Sequence, residues 1–427
     1  MVSPYRGVKG GPATGWLLSL CLFTSACERD AGEPRSPGGL VSSDKERVAD
    51  PRTTPSDVES VVAGNVDFGA ALYRELREPG KNLFFSPHSV SQAMAMVYAG
   101  ARGGSEAELA RGFHFLPQDR FHPAVNALNQ ALSVPPRDTG AATPARFLGV
   151  NSVWGQAGFS FEPAFLDVLA QHYGSGMHVV DFASNASQVR QDINAWVASR
   201  TQEHIKDLLP PDAVSAATRL ILVNALHFEG AWSTPFSPLG TRAAAFHTLE
   251  GGTASVQLMR GGGGQYMKGS GFEALALDYV GRDFRMLLLL PEAGRFDALE
   301  ARLSADLLAE VRGALSPRDM DVNLPRFQLE TTASLIPKLK ALGIEQVFDG
   351  RSDLSGVTRS ESLVISSIEH KAFVSVDEKG TVAAAATAVV AGPPSVPEPF
   401  LVDRPFLFLI EHVETGSVLF LGRYVKP

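Results

Sequence analysis

Apolar residues recur with a helical period in the first half of the chain and in short, nearly continuous runs in the second half. Val58, Val62 and Val66, for example, share one helical face. This spacing predicts helices over residues 56–78, 90–99, 165–172 and 189–201. The apolar runs predict strands over residues 220–228 and 284–290, each buried on both faces, and a hairpin formed by residues 406–410 and 418–425.

The order of these elements predicts one α+β domain over residues 56–427, without internal repeats. Ser56 and Glu59 have the Ser-x-x-Glu spacing of a capping box, which predicts the first helix start. An imperfect alternation of apolar residues around Pro325 predicts an edge or bulged strand, because proline lacks the N–H that a central strand needs.

The N-terminus has the architecture of a secretory signal over residues 1–26: Arg6 and Lys9, a short apolar run, then small residues. The position of Cys27 resembles a bacterial lipoprotein signal, which implies a lipid on its thiol and a cell-envelope location. Thr24 departs from that pattern, so an unlipidated, extracellular protein is the alternative. Since Cys21 leaves with the signal, we expect no intramolecular disulfide. Residues 27–55 are rich in Gly, Pro, Ser and charge, which predicts a flexible tether.

Composition and motifs argue against several functions. The chain has 427 residues, a net charge of -8 and no dense basic run, so we expect no nucleic-acid partner. It contains no Gly-x-Ser-x-Gly elbow, zinc-binding His-Glu-x-x-His or phosphate loop, and we expect no metal, cofactor or catalytic residue. The run Gly261–Gly264 predicts a mobile surface loop. A hydrolase with a dispersed Ser/His/Asp site is the remaining enzymatic alternative.

A tract of small residues, 378–387, precedes a proline-rich connection over residues 388–399. Such a tract suits a linker, a helix or a strand that enters a crowded sheet. A long structureless connection inside a compact domain is usually functional or disordered.

Motifs spread over nearly the whole chain together resemble one family, the serpins. They occur in the family's order at 82–89, 98–106, 193–197, 205–209, 223–232, 342–344, 353–356, 370–374 and 400–408. The resemblance implies an α+β fold of helices and three β-sheets, with an exposed, mobile reactive-centre loop at about 378–404. It also implies that the protein is a monomer that inhibits a serine protease, or a cysteine protease, rather than an enzyme.

In that family, a protease cuts the loop, becomes trapped as a covalent acyl complex, and is carried along as the loop inserts into the main sheet. The resemblance assigns the hinge of this movement to Glu378, Gly380, Thr381, Ala383, Ala384, Ala385, Ala386 and Thr387. Noninhibitory serpins often carry bulky or charged residues there. A noninhibitory serpin that acts as a surface binding protein is the second hypothesis, because Val382 replaces a common acidic residue and the distal loop is rich in proline.

Counting along the family pattern places the scissile bond at Pro394–Ser395. Because most serine proteases accept proline poorly at that position, Val390–Ala391 and Ala391–Gly392 are the alternatives. The resemblance also implies a buried polar network that keeps the main sheet closed, and an aromatic residue where insertion starts. These sheet-opening residues are Ser86, Ser89, Asn224, His370 and Trp232.

Overall fold

The structure, a computed structural model, describes residues 38–133, 145–381 and 397–427, all of which belong to one compact unit, Arg35–Pro427. Its helices lie mainly in the first half of the chain, as the sequence predicts. They are α1 (Pro55–Leu76), α2 (Pro87–Tyr98), α3 (Gly103–Phe113), α4 (Gln118–Leu132), α5 (Pro163–Val168), α6 (Phe182–Arg200), α7 (Phe296–Arg302), α8 (Ala305–Ala314) and α9 (Ile336–Ala341). A π-helical turn, Leu169–Tyr173, continues α5, and Gln346–Phe348 forms a 3₁₀ turn.

The N-cap of helix α1 lies two residues before Ser56, the cap that the sequence predicts. Thr54 is the N-cap, and its hydroxyl accepts a hydrogen bond from the backbone N–H of Asp57 at 3.2 Å. Pro55 occupies the first helical position, where its fixed φ suits a helix and its missing N–H costs nothing. The prediction that Ser56 and Glu59 cap this helix is therefore wrong, because the proline moves the cap to the residue before it.

The main sheet has seven strands among the described residues, in the order β1-β4-β3-β5-β13-β12-β11. Its strands are β1 (Gly39–Val41), β3 (Arg146–Gln156), β4 (Met177–Val180), β5 (Leu220–Ala231), β11 (Phe327–Ser334), β12 (Ser367–Val376) and β13 (Gly380–Thr381). Strands β5 and β12 pair in parallel from Ile221–Ser367 to His227–Phe373. Strand β13 lies beyond the end of that pairing, between the same two strands.

The remaining strands form one nine-stranded hydrogen-bonded sheet in the described part of the chain. They are β2 (Leu83–Phe85), β6 (Ser237–His247), β7 (Thr253–Lys268), β8 (Phe272–Asp278), β9 (Phe284–Pro291), β10 (Ser316–Pro325), β14 (Glu398–Leu401), β15 (Phe406–His412) and β16 (Val418–Tyr424). The hairpin β15–β16 and the buried strands β5 and β9 confirm the sequence-based predictions. Where three sheets were expected, the long strand β7 joins two groups of strands into one network.

Two sequence interpretations are wrong in this sheet. The glycine run is part of strand β7 rather than a loop: a Cβ on Gly261 would lie 2.9 Å from the Phe236 ring, and one on Gly264 would lie 2.7 Å from the Ala276 carbonyl oxygen. The glycines therefore allow close packing. Pro325 does not lie within one strand but ends β10, and β11 begins after it in the other sheet; the prediction of one strand is wrong, whereas its predicted edge position holds for β11.

The segment before α1 packs on the domain from residue 38 onward, where the sequence predicts a tether over 27–55. Strand β1 pairs with β4 at the edge of the main sheet, and the backbone N–H of Val48 bonds to the Gln171 carbonyl at 2.9 Å. Arg47 also donates to Asn126 at 2.9 Å. Hydrogen bonds, mostly from the backbone, hold this polar segment on the domain. The tether is predicted from the lack of large apolar residues, which gives no information about such bonds.

The part of the main sheet formed by β3 and β5 is buried on both faces. Its inner face packs on the large core that includes α1 and α2, whereas on its outer face Trp154 of β3 packs in a second cluster with Ile193 and Trp196 of α6. Within the described ranges, no helix has the length and apolar character needed to cross a membrane. Strands β5 and β12 are hydrogen-bonded to each other inside this sheet, so a strand added between them must separate them.

Candidate functional site

The start of the predicted hinge is already a strand of the main sheet. Thr381 of β13 pairs with Val376 of β12 and with Gly230 of β5, and both pairings are antiparallel. Thr381 is completely buried. Two residues of the hinge therefore occupy the position between β5 and β12 that a longer inserted strand would extend.

Backbone geometry makes glycine necessary in this strand. A Cβ on Gly380 would lie 2.1 Å from the carbonyl oxygen of Gly230, which is far closer than real Cβ contacts allow. The preceding turn is closed by Asp377, whose carboxylate accepts hydrogen bonds from the backbone N–H groups of Lys379 at 2.8 Å and Gly380 at 3.2 Å. The chain thus reverses directly after β12 and enters the sheet.

Trp232 and Glu378 anchor the same turn. The indole N–H of Trp232 donates to the Asp377 carbonyl at 2.9 Å, and its backbone N–H donates to the Lys379 carbonyl at 2.9 Å. The hydroxyl of Thr241 donates to the Glu378 carboxylate at 2.7 Å. The aromatic side chain predicted to mark the start of insertion thus contacts the backbone of the hinge.

Tyr279 is a hinge contact that the sequence interpretation missed. Its phenol oxygen lies 2.7 Å from the Thr381 hydroxyl, and its ring stacks on Trp232 with centroids 4.6 Å apart. Burial raises the pKa of Tyr279, so the phenol stays protonated and able to donate a hydrogen bond. No local motif marks Tyr279, since only the pairing of distant strands brings it to the hinge.

The four polar residues predicted to form a network do so beneath the sheet. The backbone N–H of Ser86 donates to Nε2 of His370 at 3.2 Å, and the Ser86 hydroxyl accepts from the backbone N–H of Ser89 at 3.1 Å. Nδ1 of His370 bonds to the side-chain oxygen of Asn224, whose amide nitrogen bonds in turn to the Ser89 hydroxyl. All four residues are buried.

These bonds fix the protonation state of His370. Because Nε2 accepts a hydrogen bond from a backbone N–H, the ring proton must lie on Nδ1, which donates to Asn224. Burial lowers the pKa of His370 to about 3. The neutral ring is therefore the form that fits this site.

The network crosses the boundary between β5 and β12. Asn224 and His370 face each other in the register of these two strands, so their side-chain bond joins the strands that an inserted strand would separate. Asn151 of β3, which the sequence interpretation missed, accepts from the Asn224 amide at 2.6 Å and from the Ser89 hydroxyl at 2.6 Å. We call the parallel pairing of Ile221–His227 with Ser367–Phe373 the seam.

Comparison with known proteins identifies the family. A family model described as "Serpin (serine protease inhibitor)" matches residues 63–427. The chain is a serpin. The leukocyte elastase inhibitor of Sus scrofa is 34% identical over 384 residues, which are 87% of this chain and 100% of that protein. An uncharacterized serpin-like protein of Thermococcus kodakarensis is 33% identical, over 96% of this chain and 97% of its own length.

Solved structures agree with the fold of this serpin. Uncleaved ovalbumin matches with a TM-score of 0.77 and 30% sequence identity, over 86% of this chain and 100% of that one. The thermophilic serpin tengpin in its native state matches with a TM-score of 0.79 at 21% identity, over 91% of this chain and 98% of that one, and supports the fold alone. The α+β serpin fold predicted from the motifs is confirmed.

Several predicted residues of this serpin lie outside the described part of the chain. They are the hinge residues Ala383, Ala384, Ala385, Ala386 and Thr387, the bond Pro394–Ser395 with its alternatives Val390–Ala391 and Ala391–Gly392, and the lipidation site Cys27. Beyond them, the structure resumes with β14, which pairs in parallel with β10. The two ends of the loop are thus fixed in different sheets.

Proposed function

We propose that this serpin inhibits a serine protease as a suicide substrate, by cleavage of its loop and insertion of the hinge into the main sheet. The observation that carries the proposal is the position of Gly380 and Thr381 between β5 and β12, in antiparallel register with both. Insertion then continues a strand that has already begun.

The pairing of Thr381 with Gly230 and Val376 determines which residues of β5 and β12 each inserted residue would lie beside. Continued residue by residue, it brings position 387 beside Asn224 on β5 and His370 on β12, and position 391 beside Leu220, the first residue of β5. Residues 382–391 therefore match the length of the site, and Pro393 and Pro394, which lack an N–H, fall beyond its end.

The residues that would face the core are small or β-branched. Thr381 points inward, so strand alternation turns positions 383, 385, 387, 389 and 391 inward as well. These positions hold Ala, Ala, Thr, Val and Ala. A strand of this composition enters between β5 and β12 with little steric cost and without burying a charge.

Hydrogen bonding supplies the driving force. An inserted strand of about ten residues gains backbone bonds that contribute roughly 0.5–1.5 kcal/mol each, on the order of 10 kcal/mol together. This is comparable with the whole net stability of a domain, about 5–15 kcal/mol. The uncut protein is therefore metastable in this proposal.

The covalent step uses the chemistry of the target. The protease nucleophile attacks the carbonyl of Pro394, the C–N bond to Ser395 breaks, and the released amine takes the proton, which leaves an acyl ester between protease and serpin. Insertion then displaces the protease before water can hydrolyse that ester. A cysteine protease would form a thioester by the same route.

Electrophoresis under denaturing conditions tests this function. Across a panel of serine and cysteine proteases, at least one is expected to give an SDS-stable complex with the serpin. The Ala385→Pro variant, which loses a strand N–H, is expected to be cleaved without forming the complex, whereas the matched Ala385→Ser variant keeps it. Cleavage without a complex by every protease would instead favour the noninhibitory surface binding protein.

Mass spectrometry of the released C-terminal peptide tests the proposed bond. A peptide that begins at Ser395 supports Pro394–Ser395. One that begins at Ala391 or Gly392 would replace that bond by an alternative and shorten the inserted strand.

We also propose that the protein is exported from a bacterial cell as a monomer, and that a lipid on Cys27 anchors it to the cell envelope. The support is the charged, apolar and small-residue pattern before Cys27. The mass of the mature N-terminal peptide tests this. A peptide that begins at unmodified Glu28 or Cys27 would leave an unlipidated extracellular protein.

A further inference from the structure

The outer face of the seam carries a stack of three aromatic rings. The rings of His227 on β5 and His204, in the segment that follows α6, lie 4.1 Å apart at an interplanar angle of 17°. Phe373 on β12 completes the stack, with its centroid 6.1 Å from each histidine ring. We call these three side chains the ring stack.

The ring stack lies at the end of the seam nearest the hinge. His227 and Phe373 are the last pair in the parallel register of β5 and β12, and β13 lies just beyond them. If the antiparallel pairing of Thr381 continues, residue 384 of the inserted strand lies between His227 and Phe373. An inserting strand must therefore part His227 from Phe373 before it reaches Asn224 and His370.

The segment over the stack is under conformational strain. Gln202, Glu203 and Asp207 all have φ between 50° and 65°, a left-handed conformation that costs energy for residues other than glycine. Polar contacts hold this segment down: the Leu209 backbone N–H donates to Asn194 at 2.8 Å, and the Lys371 ammonium of β12 donates to the Lys206 carbonyl at 3.2 Å.

The electrostatic surroundings oppose a charge on His227. Its side chain is completely buried, and neither ring nitrogen has a hydrogen-bond partner within the described residues. Burial, then the nearby His204 and Arg146, lower the pKa of His227 to about 4. On its own strand, the Glu229 carboxylate is engaged by Arg146. From β12, Lys371 pairs with Glu330 at 2.9 Å.

We propose that the ring stack is a proton-sensitive latch: protonation of His227 expels its ring from the stack, separates β5 from β12 at the hinge end, and so promotes insertion of the loop. A charged imidazole is destabilised in a buried ring stack that offers it no acceptor, so His227 binds a proton more tightly once its ring is released. This inference deepens the proposed function, on which its consequence for insertion rests. The latch itself consists of contacts present before the loop is cut, so it can be tested without a protease.

The sign and size of the effect follow from linkage. A histidine with a lowered pKa in the closed state favours that state fully above about pH 6.5 and progressively less as the pH falls toward about 4. If opening returns His227 to water, the open fraction rises by at most about 30-fold between neutral pH and pH 5. The effect levels off below pH 4.

Hydrogen exchange on the intact protein tests the latch without any protease. After correction for intrinsic exchange rates, protection of the amides of residues 226–228 and 372–374, at the hinge end of the seam beside His227 and away from His370, is expected to fall by about 10- to 30-fold from pH 7.5 to pH 5. In His227→Phe, which keeps an aromatic ring but cannot be protonated, this fall is expected to shrink to less than threefold.

His178→Phe is the matched control. His178 is also a buried histidine with a pKa lowered to about 4, and it stacks on Trp154 at 4.3 Å, but it lies on β4, two strands from β5 and at the opposite end of the seam from His227. This variant is expected to keep the wild-type fall. His204→Ala, which removes one ring of the stack at a partly exposed site, is expected to lower seam protection at every pH.

The hydrogen-exchange result and the test for SDS-stable complexes separate the latch from the inhibitory function. Equal pH dependence in wild type and His227→Phe, or none in wild type, overturns the latch even if the serpin forms SDS-stable complexes. Conversely, a pH-dependent seam in a protein that forms no complex supports the latch and refutes the inhibitory function.

Discussion

The hydroxyl of Thr381 lies 2.7 Å from the phenol oxygen of Tyr279, so that the second residue of strand β13 is hydrogen-bonded to a residue more than a hundred positions earlier in the chain. Tyr279 also stacks on Trp232, which holds the backbone of the hinge turn. The hinge is therefore tied to the sheet from its side chain as well as from its backbone.

We expect Tyr279→Phe to loosen the hinge without disturbing the stack on Trp232. Losing one buried hydrogen bond costs about 1 kcal/mol, and the measurement is the free energy of unfolding together with the rate of trypsin cleavage after Lys379. As a control, Tyr266→Phe removes a bond of 2.8 Å to Glu273 elsewhere in the fold. If both variants showed the same change in cleavage after Lys379, the Thr381 contact would have no special role.

Gly380→Ala is expected to drive the hinge out of the sheet, since its Cβ would collide with the Gly230 carbonyl. Cleavage by trypsin after the adjacent Lys379 should rise at least tenfold. Gly350→Ala is the control, because no atom lies within 4 Å of a Cβ there. Unchanged cleavage in Gly380→Ala would show that the hinge is not held between β5 and β12.

The sequence predicted the residues of this site that lie in motifs and missed those that only strand pairing brings to it. Ser86, Ser89, Asn224, His370 and Trp232 lie in recognisable motifs, and the structure brings the first four into one hydrogen-bonded network. Tyr279 and Asn151 were missed because their roles depend on which distant strands pair. The glycine run around Gly261 was misread as a loop, since composition does not reveal that Phe236 packs against it.

His370 predicts an acid-sensitive fold. Its pKa is lowered to about 3, so the stability it contributes is complete above about pH 6.5 and is lost progressively as the pH falls from 6.5 to 3. The expected loss is up to about 1.4 kcal/mol per pH unit. Urea unfolding from pH 7 to pH 4 measures it.

The matched variant is His370→Gln, which should be less stable at pH 7 but lose less stability on acidification. The dependence of the free energy of unfolding on pH that remains in this variant comes from other buried histidines, among them His122, whose pKa is also lowered to about 3. Identical slopes in wild type and His370→Gln would contradict the assignment.

Residues 38–50 are expected to stabilise the domain rather than only to link it. A chain that begins at Pro51 loses strand β1 and the bonds of Arg47 and Val48 to the body, which together are worth about 3 kcal/mol at roughly 0.5–1 kcal/mol each. Urea unfolding should show this loss relative to a chain that begins at Gly38. Equal free energies of unfolding for the two chains would show that residues 38–50 do not stabilise the domain and act only as a tether.

The most direct test of loop insertion compares the thermal unfolding of the intact protein with that of the protein cut within residues 382–396. If the freed hinge inserts, the new backbone bonds should raise the unfolding midpoint by at least about 10 °C, since a gain on the order of 10 kcal/mol is large against the stability of a domain. A midpoint that stays the same or falls after cleavage would contradict insertion, and with it the proposed inhibitory mechanism.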